Sequence, residues 1–397
     1  MSILPRTYSL AICGAAILAG CVARVSAPIP RAGPFPFAVD SNFVETIAPG
    51  VNHRFIYSRT GPWAIHALVV DLRQCNAAVA VKGTDRAAGR IKTTTILDRL
   101  RATDSVVAGV NADFFSLATG TPVGALITHG NVITGPYTQP VLAFDSSGRA
   151  SAFVLHVTGS AMIGGLRREI RGWNRADRSG LAYFDGNWGR TMDTSTSAIA
   201  IVLDGSVPAR VRGIDTSPAG APIPPHGGVL VAGRAADPTL RTALLALHAG
   251  DTVRVAIDLA PFHPMEVVGG RPMLTRDSVI VDEVDTEGQP SFKLRNPRTA
   301  AGISHDGRRL ILVVVDGRQR GYSDGMTLRE LANLMLALGA RDAINLDGGG
   351  SSTMVTAYAS STGPLRIVNS PSDSLPNGQH YERAVGDALA IVRGCGS

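Results

Sequence analysis

Cysteine is scarce in this chain, with four residues among 397, and no two of them have Cys-x-x-Cys spacing. A metal site built on cysteine pairs is therefore excluded. Aromatic residues are also few, at 5%, whereas glycine and proline number 44 and 24. This composition predicts many turns, and the length suffices for one large domain or two modest ones.

The chain also lacks any run of five or more basic residues, although its net charge is +6 and arginine-heavy. Because the positive charge is dispersed and no nucleic-acid motif is present, nucleic acid is excluded as a partner. The nine histidines are scattered without a metal-ligand pattern, and no calcium loop is present. No cofactor is expected, and a divalent cation between Asp316 and Asp347 is left open.

The N-terminus carries an apolar segment, Tyr8 to Leu18, that is too short to span a bilayer and is typical of an export signal. It ends in Leu18-Ala19-Gly20-Cys21, which resembles a bacterial lipobox, in which the cysteine is lipidated. We predict a signal peptide at 1–20, a lipid anchor on Cys21, a tether at 21–38 and a location in the bacterial cell envelope, facing the periplasm or the surface. The alternative is ordinary cleavage, with Cys21 incidental.

Two cysteines remain once Cys13 is assigned to the signal and Cys21 to the anchor. In an oxidising compartment Cys75 and Cys395 form a candidate disulfide that would tie the C-terminus to the early part of the domain. The alternative is two separate thiols, because a sequence does not give their distance.

Apolar, β-branched segments predict a strand-rich chain. The predicted strands are 69–81, 106–110, 141–144, 152–157, 199–203 and 253–257, and the predicted helices are 94–101 and one near 238–248. The segment at about 145–265 is predicted to be a β subdomain inserted in the main sheet, the alternative being that it continues that sheet.

A strand–loop–helix–strand unit follows in the last third of the chain. The buried strand Leu310 to Val315 leads into a polar loop, and Thr327 with Glu330 forms a capping box for a helix that Gly339 ends. A second strand runs from 343 to 346. If the two strands are parallel, the loops after them emerge at one sheet edge, where open sheets collect ligands. The convergent candidates are then Asp316, Arg318, Ser323, Asp347 and Ser351.

The second loop is the most informative segment, because Asn345 and Asp347 lead into Gly348, Gly349 and Gly350, followed by Ser351 and Ser352. Glycines let a ligand approach the main chain, and turned N–H groups beside hydroxyls bind anions. A carboxylate at this point would repel an anion, unless Asp347 takes part in chemistry or holds a cation. The alternative is a tight turn with Asp347 as a turn residue.

Seven segments, in order, resemble the phosphodiester glycosidase family over roughly residues 105 to 392. They are 109–115, 268–274, 298–302, 315–318, 345–353, 369–373 and 382–385. Asp113 stands where many members have a small residue, so no catalytic role is assigned to it. Residues 145 to 265 match the family poorly.

The resemblance implies an α+β fold, a mixed β-sheet core with flanking helices, over residues 39–397. It implies a hydrolase that releases a sugar from a phosphodiester. The site must hold the phosphate, stabilise an oxocarbenium-like centre and supply a carboxylate. The catalytic candidates are Asp347 and Asp316. The substrate-binding candidates are Asn111, Arg298, Arg318, Ser323, Asn345, Gly348, Gly349, Gly350, Ser351, Ser352, Asp373 and Arg383.

Three alternatives stay open at this point. Arg318 and Arg298 suit phosphate because guanidinium binds two oxygens at once, but each is alternatively a structural ion-pair partner. The substrate is a carbohydrate phosphodiester or, alternatively, an ordinary glycosidic bond in an exopolysaccharide. The alternative from another class of protein is a non-catalytic carbohydrate-binding lipoprotein.

Overall fold

The computed structural model describes residues 33–394, except 193–196, 206, 217–219, 287, 289 and 359. The predicted signal peptide, Cys21 and Cys395 lie outside the described residues. In the part of the chain that is described, no helix is long and apolar enough to cross a membrane.

The described residues form 28 strands. The first fourteen are β1 (Ser41–Ala48), β2 (Val51–Ser58), β3 (Trp63–Asp71), β4 (Asn76–Lys82), β5 (Ile91–Lys92), β6 (Ser105–Asn111), β7 (Leu126–Thr128), β8 (Asn131–Thr134), β9 (Thr138–Phe144), β10 (Ala150–Ile163), β11 (Leu166–Trp173), β12 (Leu181–Phe184), β13 (Thr191–Met192) and β14 (Ser197–Asp204). The others are β15 (Ala209–Asp215), β16 (Ala221–Pro222), β17 (Gly227–Gly233), β18 (Thr252–Ala260), β19 (Glu266–Gly269), β20 (Met273–Arg276), β21 (Val279–Ile280), β22 (Arg298–Ile303), β23 (Arg309–Val315), β24 (Asp342–Asn345), β25 (Met354–Ala357), β26 (Leu365–Ile367), β27 (Ala384–Val385) and β28 (Asp387–Arg393). The helices are α1 (Thr93–Leu100), α2 (Pro238–Leu245), α3 (Glu283–Thr286), α4 (Pro290–Lys293) and α5 (Leu328–Ala337), with a 3-10 turn at Gly349–Ser351.

An eight-stranded sheet carries the strand–loop–helix–strand unit, in the order β1-β2-β3-β23-β22-β24-β20-β21. Strand β22 lies between β23 and β24 and is antiparallel to both. Strands β23 and β24 are therefore parallel to each other, and the polar loops after them emerge at the same edge. The predicted convergence of these two loops at one edge is confirmed.

The two faces of this sheet are covered by different layers. Along β23, Ile311, Val313 and Val315 contact the apolar side of α5, because alternate side chains of a strand point to one face. The intervening residues Leu310, Leu312 and Val314 pack in the opposite core. That second core is closed by the five-stranded sheet β26-β25-β6-β28-β4, and α1 packs on the far side of that sheet.

An eleven-stranded sheet contains the remaining long strands, in the order β11-β12-β17-β14-β15-β18-β10-β9-β19-β7-β8. Strand β10 pairs with both β18 and β11, so the seven strands from β11 to β10 close on themselves. Their interior has its own apolar core, to which α2 contributes Leu244. The described strands of the predicted insertion lie in this sheet, except β13 and β16, which pair with each other. Because β7, β8, β9 and β19 from outside its bounds join the sheet as well, the insertion and its bounds stay a prediction.

The predicted fold class is confirmed only in part. Strands hold 48% of the residues and helices 11%, so the fold is β-rich with few helices rather than evenly mixed. The helices at 94–101 and 238–248 and the capping box at Thr327 and Glu330 are present.

The predicted strand 69–81 is wrong as a single element. It spans β3 and β4, which are separated by a turn in which the Asp71 carboxylate accepts hydrogen bonds from the Arg73 N–H and the Gln74 amide. Cys75 closes the turn with a positive φ of 57°. These local bonds let the chain change sheets after Asp71.

Cys75 is disulfide-bonded. Its predicted partner, Cys395, lies outside the described residues. Gly394, the neighbour of Cys395, donates its N–H to the Cys75 carbonyl at 3.0 Å, which places the end of the described chain beside Cys75. The pairing of Cys75 with Cys395 stays a prediction.

Candidate active site

The glycine-rich loop leaves β24 at the sheet edge and crosses to β25 in the five-stranded sheet. The Asp347 N–H donates to the Ala112 carbonyl at 2.9 Å, and the Gly349 N–H donates to the Pro297 carbonyl at 2.9 Å. The N–H groups of Ser351 and Ser352 donate to carbonyls within the loop. These bonds fix the loop. They also occupy backbone N–H groups, so fewer of these groups can bind an anion than the sequence predicts.

Two of the three glycines leave space for arginine side chains beside the loop. Gly349 has a φ of +63°, and a Cβ added there would lie 3.3 Å from the guanidinium of Arg318. A Cβ at Gly350 would clash with Arg383 and Asp373. The absence of side chains at these positions therefore lets two guanidinium groups approach the loop that carries Asp347.

Asp347 is half-buried at the start of this loop. Burial raises the pKa of its carboxyl to about 7, against the opposing effects of the Ser351 hydroxyl, the charge of Arg383 and the Gly348 N–H. The Ser351 hydroxyl is near enough to affect this pKa, but it forms no hydrogen bond of standard geometry with a described residue. A carboxyl with such a pKa exchanges a proton close to neutral pH.

Two further buried carboxyl groups, Asp113 and Asp387, lie near Asp347. The Asp113 N–H donates to Asp387 Oδ1 at 2.9 Å, and the Gly124 N–H donates to Asp113 Oδ2 at 2.6 Å. Asp387 Oδ2 is buried and has no hydrogen-bond partner in the described part of the chain. A Cβ on Gly124 or Gly269 would clash with Asp113, so these glycines make room for its carboxyl group.

These carboxyl groups influence one another. Burial raises the pKa of Asp113 to about 7, and the charge of Asp347 adds to the shift, whereas Arg271 opposes it. Burial raises the pKa of Asp387 well above its usual range, and the charges of Asp113 and Asp347 raise it further. Because like charges in a buried site cannot all ionise at once, each of the three carboxyl groups holds its proton more tightly than an exposed aspartate does.

The sequence reasoning missed this cluster. No role was assigned to Asp113, and Asp387 and Arg271 were not named as site residues. The sequence does carry a signal that marks Asp387 as a candidate. Asp387 directly precedes the apolar strand Ala388 to Val392, and acidic residues are rarely found beside a buried strand. Nothing local in the sequence shows that it lies beside Asp113.

Arg318 and Arg383 are the predicted cations that reach the loop. Arg318 is exposed, and its Nε and Nη2 donate to Asn296 Oδ1 at 3.0 and 2.9 Å. Arg383 forms a two-point ion pair with Asp373, at 2.7 and 2.8 Å. Asp373 therefore orients Arg383, and the Arg383 charge in turn lowers the pKa of Asp347.

Arg298 does not have the geometry of the predicted phosphate contact. Its side chain is buried, and it donates to the backbone carbonyls of Met326, Ser291, Phe292 and Leu294 at 2.7–3.2 Å. Burial lowers its pKa to about 10, and the neighbouring Arg318 charge adds to the shift. Arg298 holds the segment before β22 in place, which is a structural role.

The predicted sugar-binding amides are also engaged within the fold. Asn111 is fully buried, donates to the Asp347 carbonyl at 2.6 Å and accepts bonds from Thr299 and Thr353. Asn345 is buried and donates to the Arg271 carbonyl at 2.7 Å. Both amides position the loops that carry Asp347 and Arg271. The Oδ1 atom of Asn345 has no hydrogen-bond partner among the described residues, so a sugar contact of Asn345 stays a prediction.

Two predicted serines are structural as well. Ser323 Oγ is buried, donates to the Asp316 carbonyl at 2.6 Å and accepts from the Ala64 N–H. Ser352 Oγ is buried and accepts a bond from Thr299 at 3.3 Å. These contacts fix the two loops at the sheet edge.

Asp316, the second predicted carboxylate, occupies a separate environment. It is buried and accepts hydrogen bonds from Tyr322 Oη, Asn369 Nδ2 and the Ser370 N–H, at 2.9–3.1 Å. The neighbouring charge that shifts the pKa of Asp347 is that of Arg383, not that of Asp316. Asp316 and Asp347 therefore have different partners, and a catalytic role for either carboxylate stays a prediction.

No group of three or more His, Cys, Asp or Glu side chains within the described residues is arranged to hold a metal ion.

The fold is similar to that of solved protein structures. A structure of a hypothetical protein from Synechocystis aligns with a TM-score of 0.72 and 22% identity, over 89% of this chain and 64% of that one. A structure from Burkholderia pseudomallei K96243, named "Putative exported protein", aligns with a TM-score of 0.65 and 25% identity, over 84% of this chain and 74% of that one. The fold is thus shared with solved bacterial proteins.

Residues 196–392 match the model of the phosphodiester glycosidase family, so this part of the chain is a domain of that family. The match begins inside the segment 145–265 that was expected to depart from the family. The SPbeta prophage-derived uncharacterized protein YomE of Bacillus subtilis (strain 168) is 38% identical over 100 residues. That alignment covers 25% of this chain and spans 13% of the length of the relative.

Proposed function

We propose that this protein is a glycosidase that hydrolyses a sugar-1-phosphodiester. The observation that carries the proposal is the half-buried Asp347 carboxyl on a glycine-rich loop, with Arg318 and Arg383 packed against the glycines that follow it. The match of residues 196–392 to the phosphodiester glycosidase family supports the same reaction class. The proposed substrate has a sugar, a phosphate diester and an aglycone, the group on the far side of the phosphate.

Asp347 is the proposed catalytic carboxylate. Hydrolysis breaks the bond between the anomeric carbon and the phosphate oxygen through an oxocarbenium-like transition state, and a carboxylate near that carbon stabilises the developing positive charge. The leaving phosphate monoester is already a stable anion, so strong protonation of the leaving oxygen is less necessary. A carboxylate in the charged form is the main chemical requirement.

Arg318 and Arg383 are the proposed phosphate ligands. The Nη1 group of Arg318 has no hydrogen bond to a described residue, and the guanidinium is exposed beside Gly349. Arg383 is held by Asp373 at two points, so its orientation is fixed before a ligand binds. Guanidinium groups pair with phosphate oxygens at short distance and with defined geometry, which would place the anomeric carbon next to Asp347.

The Asp113–Asp387 pair is proposed to keep Asp347 ionised. Burial and the neighbouring negative charges raise the pKa values of both groups, and a proton held by the pair removes the like charge that would otherwise oppose ionisation of Asp347. The pair then acts on the reaction through the charge of Asp347. We propose no direct contact of Asp113 or Asp387 with the substrate.

The phosphate role of Arg318 is tested by substitution and competition. Arg318→Lys keeps the charge but removes the planar fork, and we expect about tenfold weaker inhibition by inorganic phosphate together with lower kcat/KM on a phosphodiester. Arg318→Ala should weaken the inhibition by phosphate further and lower kcat/KM further. Steady-state kinetics with increasing phosphate measures the change.

The matched control is Arg320→Ala, which removes an exposed arginine two residues away in the same loop. It should leave phosphate inhibition unchanged. Unchanged phosphate inhibition in both Arg318 variants would remove Arg318 from the site, and the proposed function would lose its main phosphate ligand.

The location is proposed from the N-terminal sequence: an exported protein held at the membrane by a lipid on Cys21. Cys21→Ser should move the protein from the membrane fraction to the soluble fraction or block processing of the signal peptide. Fractionation with intact-mass measurement tests this. The same membrane partitioning and the same mass in the variant would contradict the anchor.

A further inference from the structure

Arg271 is a cation beside the carboxyl cluster to which the proposed function assigns no role. It lies in the turn between β19 and β20. Its N–H donates to the Asn345 carbonyl at 2.8 Å, and Asn345 Nδ2 donates to the Arg271 carbonyl at 2.7 Å. A Cβ on Gly270 would lie 2.7 Å from the same Asn345 carbonyl, so this glycine permits the close approach. These contacts hold Arg271 against the end of β24, which leads directly to Asp347.

The guanidinium of Arg271 has no counter-ion in the described part of the chain. The residue is half-buried, and its Nε atom is buried without a hydrogen-bond partner among the described residues. Burial raises the pKa of Asp113, and the Arg271 charge opposes that shift, but the two side chains form no ion pair. The Asp113 carboxyl accepts from the Gly124 N–H instead, at 2.6 Å. An unpaired buried donor beside a proposed active site indicates an acceptor on a ligand.

An aromatic ring lies beside this guanidinium. The Cζ atom of Arg271 is 5.9 Å from the centroid of the Phe114 ring, and Phe114 is half-buried. The Phe114 ring also packs against the buried ring of Phe292, with 6.0 Å between the centroids. Phe292 therefore holds the Phe114 ring in place. The exposed part of this ring can cover the apolar C–H face of a sugar, as aromatic side chains do in ligand pockets.

The contacts of Arg271 separate it from the proposed phosphate ligands. The Asp347 N–H donates to the Ala112 carbonyl at 2.9 Å, so the segment 112–114 lies against the start of the glycine-rich loop. The proposed phosphate ligands lie against the last two glycines of that loop. The order of contacts is therefore Arg271, the segment 112–114, Asp347, the glycines and the phosphate ligands. With the phosphate at one end and the anomeric carbon at Asp347, the sugar ring is directed to Phe114 and Arg271.

The charge of Arg271 restricts which sugar fits this position. A ligand that covers the half-buried guanidinium removes its remaining contact with water, and a buried charge is costly unless it is paired. A hydroxyl group would accept a hydrogen bond but would leave the charge uncompensated. A carboxylate supplies the counter-charge, and its two oxygens match the planar fork of the guanidinium.

We propose that Arg271 determines substrate specificity by binding the carboxylate of an acidic sugar, such as a uronic acid, whose ring covers Phe114. The inference rests on the proposed function, because it takes Asp347 as the residue at the anomeric carbon. The substrate class then becomes a phosphodiester of an acidic sugar. Water cleaves the bond between the anomeric carbon and the phosphate oxygen, which releases the acidic sugar and a phosphate monoester.

Two pairs of methyl phosphodiesters test the inference. Each pair differs only at carbon 6 of the sugar: α-glucosyl against α-glucuronosyl, and α-galactosyl against α-galacturonosyl. In at least one pair, kcat/KM of the wild-type protein should be about tenfold or more higher for the acidic sugar. Arg271→Met should lower kcat/KM for that acidic substrate about tenfold, mainly through KM, and should change the neutral counterpart less than about twofold.

Two further variants serve as controls. Arg271→Lys keeps the charge without the planar fork, so it should retain part of the preference for the acidic sugar. Arg276→Met removes an exposed arginine at the last position of β20 and should leave the kinetics of all four substrates unchanged.

Equal kcat/KM within both pairs for wild-type protein, or an equal loss on acidic and neutral substrates in Arg271→Met, would overturn the inference. If wild-type protein turns over none of the four diesters, the proposed function fails, and binding alone decides the inference. Ligand-observed NMR then compares the methyl α-glycosides of glucuronate and galacturonate with those of glucose and galactose. Binding of an acidic sugar that Arg271→Met abolishes supports the site, and absence of binding by both acidic sugars overturns it.

Discussion

Asp347→Asn is expected to lower the turnover of a sugar-1-phosphodiester by about 10² or more. Asparagine keeps the size and hydrogen-bonding capacity of the side chain, but it cannot stabilise a developing positive charge or activate water as a carboxylate does. Single-turnover and steady-state kinetics with purified protein measure the loss. KM should change little, since the phosphate ligands remain.

The wild-type pH profile follows from the same assignment. Because burial raises the pKa of Asp347 to about 7, the reactive carboxylate is lost as the pH falls through this value. The rate should therefore decrease below about pH 7. Any residual activity of Asp347→Asn should lack this acidic limb.

Stability provides the control for Asp347→Asn. A carboxyl whose pKa is raised by folding destabilises the folded state when it ionises, so a neutral replacement should leave the melting temperature at pH 8 unchanged or slightly higher. Asp324→Asn, which changes a half-exposed carboxylate in the neighbouring loop, should leave turnover near normal. Near-normal turnover in Asp347→Asn would contradict the catalytic role of Asp347 and favour its interpretation as a turn residue.

Arg298→Met is expected to lower the free energy of unfolding by about 3 kcal/mol or more. The guanidinium satisfies four backbone carbonyls, three in the segment 291–294 before β22 and one at Met326, shortly before α5. Methionine preserves much of the volume but leaves these buried acceptors without a donor. Chemical denaturation measures this difference in the free energy of unfolding, with wild type and variant compared at the same denaturant dependence.

Arg318→Met is the matched control for this prediction, because it makes the same chemical change at an exposed arginine and should cost less than about 1 kcal/mol. The two variants thus separate structure from ligand binding: the Arg298 variant loses stability, and the Arg318 variant loses phosphate inhibition. A stable Arg298→Met protein with weakened phosphate inhibition would restore the phosphate contact expected from the sequence.

The strand–loop–helix–strand unit could be predicted because its signals are local. The apolar run Leu310 to Val315, the capping box and Gly339 each act within a few residues. A helix between two strands favours a parallel arrangement, which here includes β22 between them. The arrival of Arg318 at the glycine-rich loop follows from that geometry.

The carboxyl cluster could not be predicted, because its members lie far apart in the chain. Asp113 and Asp387 are separated by 274 positions and meet only when β6 and β28 pair in the five-stranded sheet. Arg298 shows a second reason why a site residue could not be predicted. An arginine at the start of a strand has the same sequence appearance whether it binds phosphate or satisfies buried carbonyls.

Hydrolysis of the phosphodiester is tested by incubating the purified protein with a sugar-1-phosphate diester and, separately, with an aryl glycoside of the same sugar, and measuring released sugar. We expect release from the diester, little release from the aryl glycoside, and loss of the diester activity in Asp347→Asn. Saturable glycan binding without release from either substrate would indicate a binding protein. Release from the aryl glycoside alone would contradict the phosphodiester assignment.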